Sequence, residues 1–386
     1  MANVTPASVD RTADAERVRR LFRLFGETQC RGVSVVYEAL SEAIARDDRL
    51  LGLLLDTPGD QRRPSLLFAA VNFLLASDAS ADLAAYYPIH GGARAADDGL
   101  APAFVAFCER HRDSLLRLLH ERSTQTNEIR RCIALHVGLG YVARRWPGPL
   151  ALVEVGASAG LNLRFDDYRY RLGGRDQTAS GTANVVVSCD VRGDPAGDDL
   201  LNPAPTITRR LGIDQHPIDL TDPDARAWLE AFVWPEQVQD LATLRASIDL
   251  ALSNPLATLV QGEATADTAR LIAELPGEAP VVVFTASLLS YLTAAARAAF
   301  VAQLDEVARR RSVAWVFAEG PGLLATIGLD IPALAGPLRS DTTHYLIGAS
   351  LRGPQPEDRL LALADPYVRW LAPARGTDDD FQWVSG

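Results

Sequence analysis

The chain of 386 residues contains no lysine: all 38 of its basic residues are arginine, and its single methionine is Met1. An arginine guanidinium keeps its proton in a protein, so it forms no Schiff base and serves as no general base. Lysine-dependent chemistry is thereby excluded, which removes pyridoxal-phosphate enzymes, Walker-A nucleotide hydrolases, protein kinases and Ser-Lys hydrolases. Positive charge is also outnumbered. The 49 acidic residues bring the formal net charge to −11, with a pI near 5.1. Binding a polyanion needs a clustered basic surface, so neither a nucleic acid nor an anionic membrane is expected as partner. Cysteine is scarce and scattered, at Cys30, Cys108, Cys132 and Cys189. There is no CxxC and no Cys/His spacing suited to zinc, so no metal centre is expected and the thiols read as reduced residues of a cytosolic protein. The polar N-terminus lacks an apolar signal core. One uncharged run, Ala279 to Ala296, reaches 18 residues. It contains Pro280, Thr285, Ser287, Ser290, Tyr291 and Thr293, and its β-branched start suits a buried strand followed by a helix better than a membrane span.

What is present is an ordinary globular composition, 48% hydrophobic and 23% charged, at a length that implies two or three domains. Apolar residues at helical spacing predict helices over Asp10–Phe25, Val33–Ile44, Asp47–Leu55, Ser65–Leu75, Ala103–Leu119 and Glu128–Trp146. Pro147-Gly-Pro149 breaks the pattern, which puts the boundary of an all-helical domain at residues 1–147. From residue 148 onward the pattern alternates. Strands are predicted at Leu150–Val155, Ile207–Ile213, Thr258–Val260, Val281–Phe284 and Val313–Phe317. Helices are predicted at Asp222–Phe232, Glu236–Leu252, Thr265–Glu274 and Thr293–Arg311. Tyr345–Leu351 and Arg359–Ala364 read as an antiparallel pair around Gly353-Pro354, and Asp378–Asp380 as a solvated acidic tail. Tyr168–Leu172, Gly173-Gly174 and Val185–Val187 suggest a β-hairpin insertion near 165–205. Alternating strands and helices imply a doubly wound α/β sheet.

The central motif is Leu152-Val-Glu154-Val-Gly156-Ala-Ser158-Ala-Gly160, a strand that ends in a tight glycine turn with a helix expected next. Such a turn lets a ligand approach the backbone, and a helix N-terminus favours negative charge. A short-chain dehydrogenase turn looks similar, but its Tyr-x-x-x-Lys dyad requires the missing lysine. Gly156-Ala-Ser158-Ala-Gly160 also fits the G-x-S-x-G elbow of a serine hydrolase. His90-Gly91-Gly92 would then act as an oxyanion loop, with Asp330 or Asp341 and His344 completing a triad on Ser158. A third reading is a class I S-adenosylmethionine-dependent methyltransferase, whose first motif Glu154 to Gly160 resembles apart from Ser158 in place of a glycine. Asp214, in Gly212-Ile-Asp214, resembles the acidic residue that meets the ribose hydroxyls. Glu263, in Gln261-Gly262-Glu263, resembles the segment beside the adenine. Thr285 follows the fourth strand, near the methyl group and substrate.

Thr124-Gln-Thr-Asn-Glu128, Leu150 to Leu163, Phe165 to Tyr170, Phe232-Val-Trp-Pro-Glu236 and Val281 to Leu292 together resemble the bacterial family catalogued as domain of unknown function 2332. The resemblance covers nearly the whole chain and implies a methyltransferase-like core. That core is a Rossmann-like parallel sheet with a C-terminal antiparallel hairpin, preceded by an all-helical domain that would cover the strand ends as a lid. Ala364-Asp-Pro-Tyr367 departs from a His-Pro-His-Gly-like segment of that family. The implied cofactor is S-adenosylmethionine, and the implied substrate a small molecule. Glu154, Gly156, Ser158, Gly160, Asp214, Glu263 and Thr285 are the candidate cofactor residues. Glu128, as general base or amine ligand, Asn127 and Tyr87 are the candidate catalytic residues. Asn72, Gln125 and Glu319 are candidate substrate contacts. Asn127 and Glu128 have a purely structural alternative, capping and charging the first turn of the next helix, and Asn72 has one as a satisfied core amide. A non-catalytic binding protein on the same fold remains an alternative, as does the serine hydrolase.

Overall fold

The computed structural model describes residues 11–78, 80–177, 181, 183–193, 201, 203–331, 334, 343–353 and 355–374. Asp10, Asp341, Pro354 and the acidic tail lie outside them. Contacts divide the chain into two compact units. One takes in the described residues up to Thr126 together with Asp222–Ala242, and the other takes Asn127–Thr221 and the described residues from Thr243 onward.

The first unit is helical. Its elements are α1 (Arg11–Phe25), α2 (Val35–Arg46), α3 (Asp48–Leu55), α4 (Pro64–Leu75), α5 (Leu100–Arg110) and α6 (Arg112–Glu121). Ser34 caps α2 by accepting the Tyr37 N–H, Asp47 caps α3, and Pro64 opens α4 where a missing N–H costs nothing. The single helix predicted over 103–119 is two helices. His111 leaves helical geometry (φ −103°, ψ 18°), and its ring is held by Phe107 at 4.4 Å and Asp78 at 3.4 Å. This is a tertiary pull that local periodicity does not register. The core is aromatic: Tyr37 stacks on Phe68 at 4.1 Å, and Trp234 lies 5.7 Å from both Phe25 and Tyr37. Glu236 accepts the Ser34 hydroxyl at 2.6 Å and the Val36 N–H at 2.9 Å, so it neutralises the start of α2. These contacts bring Asp222–Ala242 into the helical unit, although its position in the chain suggested the sheet domain.

The second unit is built on a sheet. Its helices are α7 (Arg131–Arg145), α9 (Val238–Ser253, which starts in the helical unit's segment), α10 (Thr268–Ala273), α11 (Ala294–Ala308) and α12 (Pro321–Leu324); α8 (Pro223–Glu230) belongs to the helical unit. The strands are β1 (Leu150–Val155), β2 (Arg169–Leu172), β3 (Arg175–Asp176), β4 (Val186–Val191), β5 (Ile207–Asp214), β6 (Thr258–Gln261), β7 (Val281–Ala286), β8 (Val313–Glu319), β9 (Tyr345–Arg352), β10 (Glu357–Ala364) and β11 (Trp370–Pro373). Among the described residues they form one sheet in the order β3-β2-β4-β11-β10-β9-β8-β7-β1-β5-β6. The run β6-β5-β1-β7-β8 is parallel, with β9 antiparallel beside it. This is the doubly wound order, in which the chain leaves β1 in both directions. Every residue of β1 and β8 is buried, as continuous apolar strands covered on both faces should be. Val153, Val283, Trp315 and Phe317 face α10 and α11 across one core, with Leu271, Phe300 and Leu304. On the other face α7 packs so closely that a Cβ on Gly138 would lie 2.2 Å from Val316 Cγ1. That contact puts α7 in the sheet unit, so the compact units divide at residue 126 where the proline break suggested 147.

Two local expectations are corrected. No α-helix follows the glycine turn. A 3-10 turn, Leu161–Arg164, stands there instead, and Tyr168 donates its hydroxyl to Leu161 O at 2.8 Å. The hairpin is also re-paired: β2 meets β3 through Gly173-Gly174, both at positive φ as a tight two-residue turn requires. Val186–Val191 runs parallel to β2, not antiparallel, and joins it through β11 to the rest of the sheet. β11 itself was not anticipated. Asp365, in the departing Ala364-Asp-Pro-Tyr367 segment, holds the turn before β11 by accepting the Arg369 N–H and Nε at 2.6 Å each.

Candidate functional site

The carboxyl ends of the parallel strands carry the glycine turn and its neighbours. Gly156, Ser158 and Gly160 all have positive φ (81°, 53° and 69°), a conformation costly for a serine. The turn is held in that shape from β5. Ser158 N–H donates to Asp214 Oδ2 at 2.8 Å, and His216 N–H to Asp214 Oδ1 at 2.9 Å. Gln215 links this corner to the segment after β6 by donating to Glu263 Oε2 at 2.6 Å. Small residues in the turn also serve packing. A Cβ on Gly160 would lie 2.7 Å from Leu259 Cδ2, and one on Gly156 would lie 3.3 Å from Leu288 Cδ1.

The strand order reverses between β1 and β7, and a buried polar cluster occupies that edge. Glu154, only 3% exposed, accepts Asn162 Nδ2–H at 2.9 Å on Oε1, while its Oε2 has no hydrogen bond. Burial pushes this carboxyl up to about 8, against the pull of Asn162 and Arg131. At the end of β8, Glu319 is fully buried and accepts the Leu288 and Leu289 N–H groups at 2.9 and 3.2 Å. Burial pushes it up to about 7, opposed by Thr285, those two N–H groups and Arg131. Arg131 donates to Ser287 Oγ at 2.7 Å and towards Ala286 O at 3.4 Å, and its Nε has no hydrogen bond. Ser287 is itself at φ 64°, and its hydroxyl lies 2.9 Å from that of Tyr345, which burial pushes up to about 12. One guanidinium thus pulls electrostatically on two buried carboxyl groups that burial raises toward neutral pH. Groups desolvated in this way beside a charge are more frequent at functional sites than elsewhere.

Several anticipated residues meet here, and others do other work. Asn127 accepts the Leu161 N–H at 3.2 Å and so braces the chain just after the glycine turn. It does not cap α7, which starts at Arg131 without a side-chain cap. Glu128 lies before that helix, not in its first turn, and pairs with Arg130 at 3.3 Å. Thr285 is fully buried, accepts Trp315 Nε1–H at 3.1 Å and helps hold the Glu319 pKa down, so it supports the cluster from inside the sheet. Asn72, Tyr87 and Gln125 belong to the helical unit. Asn72 donates to the carbonyls of Ala231 and Val233 at 2.9 and 3.0 Å, and its Oδ1 meets His90 Nε2 at 2.6 Å. Its polar atoms are engaged as those of a core amide. Tyr87 is fully buried, and burial raises its phenol far above the ordinary value, so it is no general base.

Arg131, Ser287, Tyr345 and Asn162 were not among the candidate site residues. Arg131 left one signal: a cation at the first position of an apolar helix, where the dipole disfavours it. The hydrolase constellation does not assemble. Ser158 Oγ is buried without a hydrogen-bond partner, whereas a nucleophile needs a base in reach. His344 instead meets Thr343 and the Trp370 ring, and His90 is held by Asn72. Among the described residues no group of three or more His, Cys, Asp or Glu could hold a metal ion.

A doubly wound, mostly parallel sheet, with a glycine turn and buried carboxyl and guanidinium groups at the carboxyl ends of its strands, defines an α/β protein. The chain belongs to the bacterial family described as "Uncharacterized protein conserved in bacteria (DUF2332)", which matches residues 19–372. No curated protein matches it, and no solved structure does.

Proposed function

We propose that the sheet unit binds an S-adenosyl ligand at the carboxyl ends of β1, β5 and β6, and that the protein is a methyltransferase-like enzyme acting on a small molecule. One observation carries this reading: the glycine turn after β1 and the carboxylate ending β5 meet at 2.8 Å, on the edge where doubly wound sheets bind ligands. The residues suit the group. Asp214 is half-buried and each of its oxygens accepts one N–H, which leaves a lone pair on each for a pair of vicinal hydroxyls. Glu263 is exposed one strand further out, and Ser158 Oγ is a buried hydroxyl still lacking a partner. When bound, S-adenosylmethionine supplies an electrophilic methyl group on a sulfonium.

The chain's own residues would orient the acceptor and manage its proton. Glu319 fixes the backbone of Leu288 and Leu289 at the end of β7, and Arg131 fixes Ser287 beside them. Holding the acceptor atom in line is the larger part of the task in a displacement of this kind. With lysine absent, the proton must pass to a carboxylate, His, Tyr, Cys or water. Glu128 is the proposed base, because Asn127 beside it reaches the residue following the glycine turn.

Isothermal titration of ligand-free protein with S-adenosylmethionine and with its demethylated product tests the proposal. Saturable binding is expected. Asp214→Ala should weaken it by about 1–3 kcal/mol, the worth of hydrogen bonds to a charged group. No binding to the wild type would overturn the reading. Unchanged affinity in Asp214→Ala would remove Asp214 from it.

A further inference from the structure

A second polar concavity opens at the amino-terminal end of β8, seven residues from Glu319 along that strand. It has a volume of about 480 Å³ and is lined by Asp305, Arg309, Arg310, Arg311, Ser312 and Arg352, among others. Four guanidinium groups therefore face one carboxylate, in a chain whose net charge is −11. Two carboxylates stand just outside the lining: Glu306 pairs with Arg309 and Arg310, and the exposed Glu278 faces Arg311. Arg352 pairs with Asp305 through Nη1.

Basic residues after a helix are ordinarily explained by the helix dipole, and Arg309, Arg310 and Arg311 do follow the last turn of α11. That account does not cover two atoms. Arg311 Nη2 and Arg352 Nε are both buried with no hydrogen-bond partner, although Arg311 Nε reaches Ala279 O at 2.8 Å. Arg352 comes from β9, so its presence owes nothing to α11. A buried N–H on a charged group left unmet is costly, and such a group calls for an explanation such as an ion or water. Two of them share one basic concavity.

We infer that this concavity is an oxyanion-binding site, distinct from the edge that carries Asp214 and Glu319, with Arg311 and Arg352 as its principal ligands. A tetrahedral oxyanion such as phosphate, free or as a monoester, suits guanidinium groups supplied by two separate elements. Arg309 and Arg310, which are more exposed, contribute field more than contact.

Titration of the full-length protein with orthophosphate, at constant ionic strength and in phosphate-free buffer, tests this. The wild type should bind saturably. Arg311→Gln and Arg352→Gln should each weaken binding at least tenfold, and Arg309→Gln/Arg310→Gln, whose residues lie at the surface, by a smaller factor. A monoester without an adenosyl group, such as glucose 6-phosphate, in place of orthophosphate separates a monoester from the free ion. Tighter binding of the monoester assigns the site to phosphorylated metabolites, and equal binding assigns it to the phosphate group alone. Absence of saturable binding by the wild type would overturn the proposal. So would an affinity that all three variants leave unchanged, including the double variant at the exposed Arg309 and Arg310.

Discussion

Glu154 keeps its proton at a pH where an exposed carboxylate has lost it, and that has a consequence for stability. Its folded pKa of about 8 lies above the ordinary 4.5. Between these values the folded chain holds a proton that the unfolded chain has released. Stability from this group is therefore complete below about pH 4.5 and declines as the pH rises toward 8. Glu319 acts in the same sense over a narrower window, from 4.5 to about 7. Glu154→Gln retains an acceptor for Asn162 Nδ2 and removes the ionisation. Urea unfolding should find the variant close to the wild type at pH 5 and more stable by on the order of 1–4 kcal/mol at pH 9. Parallel curves for the two proteins from pH 5 to 9 would show that Glu154 does not titrate between them. Glu154 was legible in the sequence because it sits at a fixed offset from the glycines. The role of Arg131 was not, because its hydrogen bond to Ser287 spans 156 positions of chain.

Helix α7 illustrates how packing overrules propensity within an element. Gly138 interrupts it at a position where alanine would gain about 1 kcal/mol of helix propensity. The added Cβ would meet Val316 Cγ1 at 2.2 Å and Cγ2 at 2.8 Å, and overpacking of that kind costs about 1–3 kcal/mol. Gly138→Ala should therefore be net destabilising in chemical denaturation. Gly52, within α3, has nothing within 4 Å of the same added atom. Gly52→Ala should stabilise by about 0.5–1 kcal/mol, and a loss of stability there would show that propensity does not rule at that site. The parallel strands were readable because burial on both faces leaves them uniformly apolar. The 3-10 turn after Gly160 was not, since a glycine turn that leads into a helix and one that does not share their first residues. Here Asn127 and Tyr168 hold Leu161 from outside its own segment.

At the scale of the whole molecule, the cysteines and the proposed ligand yield two further tests. All four thiols are free and buried, and burial raises those of Cys108, Cys132 and Cys189 well above the ordinary value. A thiol reagent such as dithiobis-nitrobenzoate should react with none of them over minutes in the native protein and with all four in denaturant; rapid native reaction would contradict this packing. An S-adenosyl ligand at about 100 times its Kd should add about 2.7 kcal/mol to stability, seen as a rise in Tm that Asp214→Ala diminishes. No helix among the described residues is long and apolar enough to cross a membrane, so the uncharged run from Ala279 divides into β7 and α11, as its β-branched start suggested. By itself the sequence determined the alternation of strand and helix, the acidic and glycine positions at the strand ends, and a chemistry without lysine, because each of these is written in composition or short-range periodicity. Only the tertiary structure decided that Asp222–Ala242 returns to the helical unit, that α7 packs on the sheet, and that Arg131 acts on both Glu154 and Glu319. Those outcomes depend on contacts between residues far apart in the chain, where the burial of apolar surface and the need to satisfy buried charges outweigh local preference.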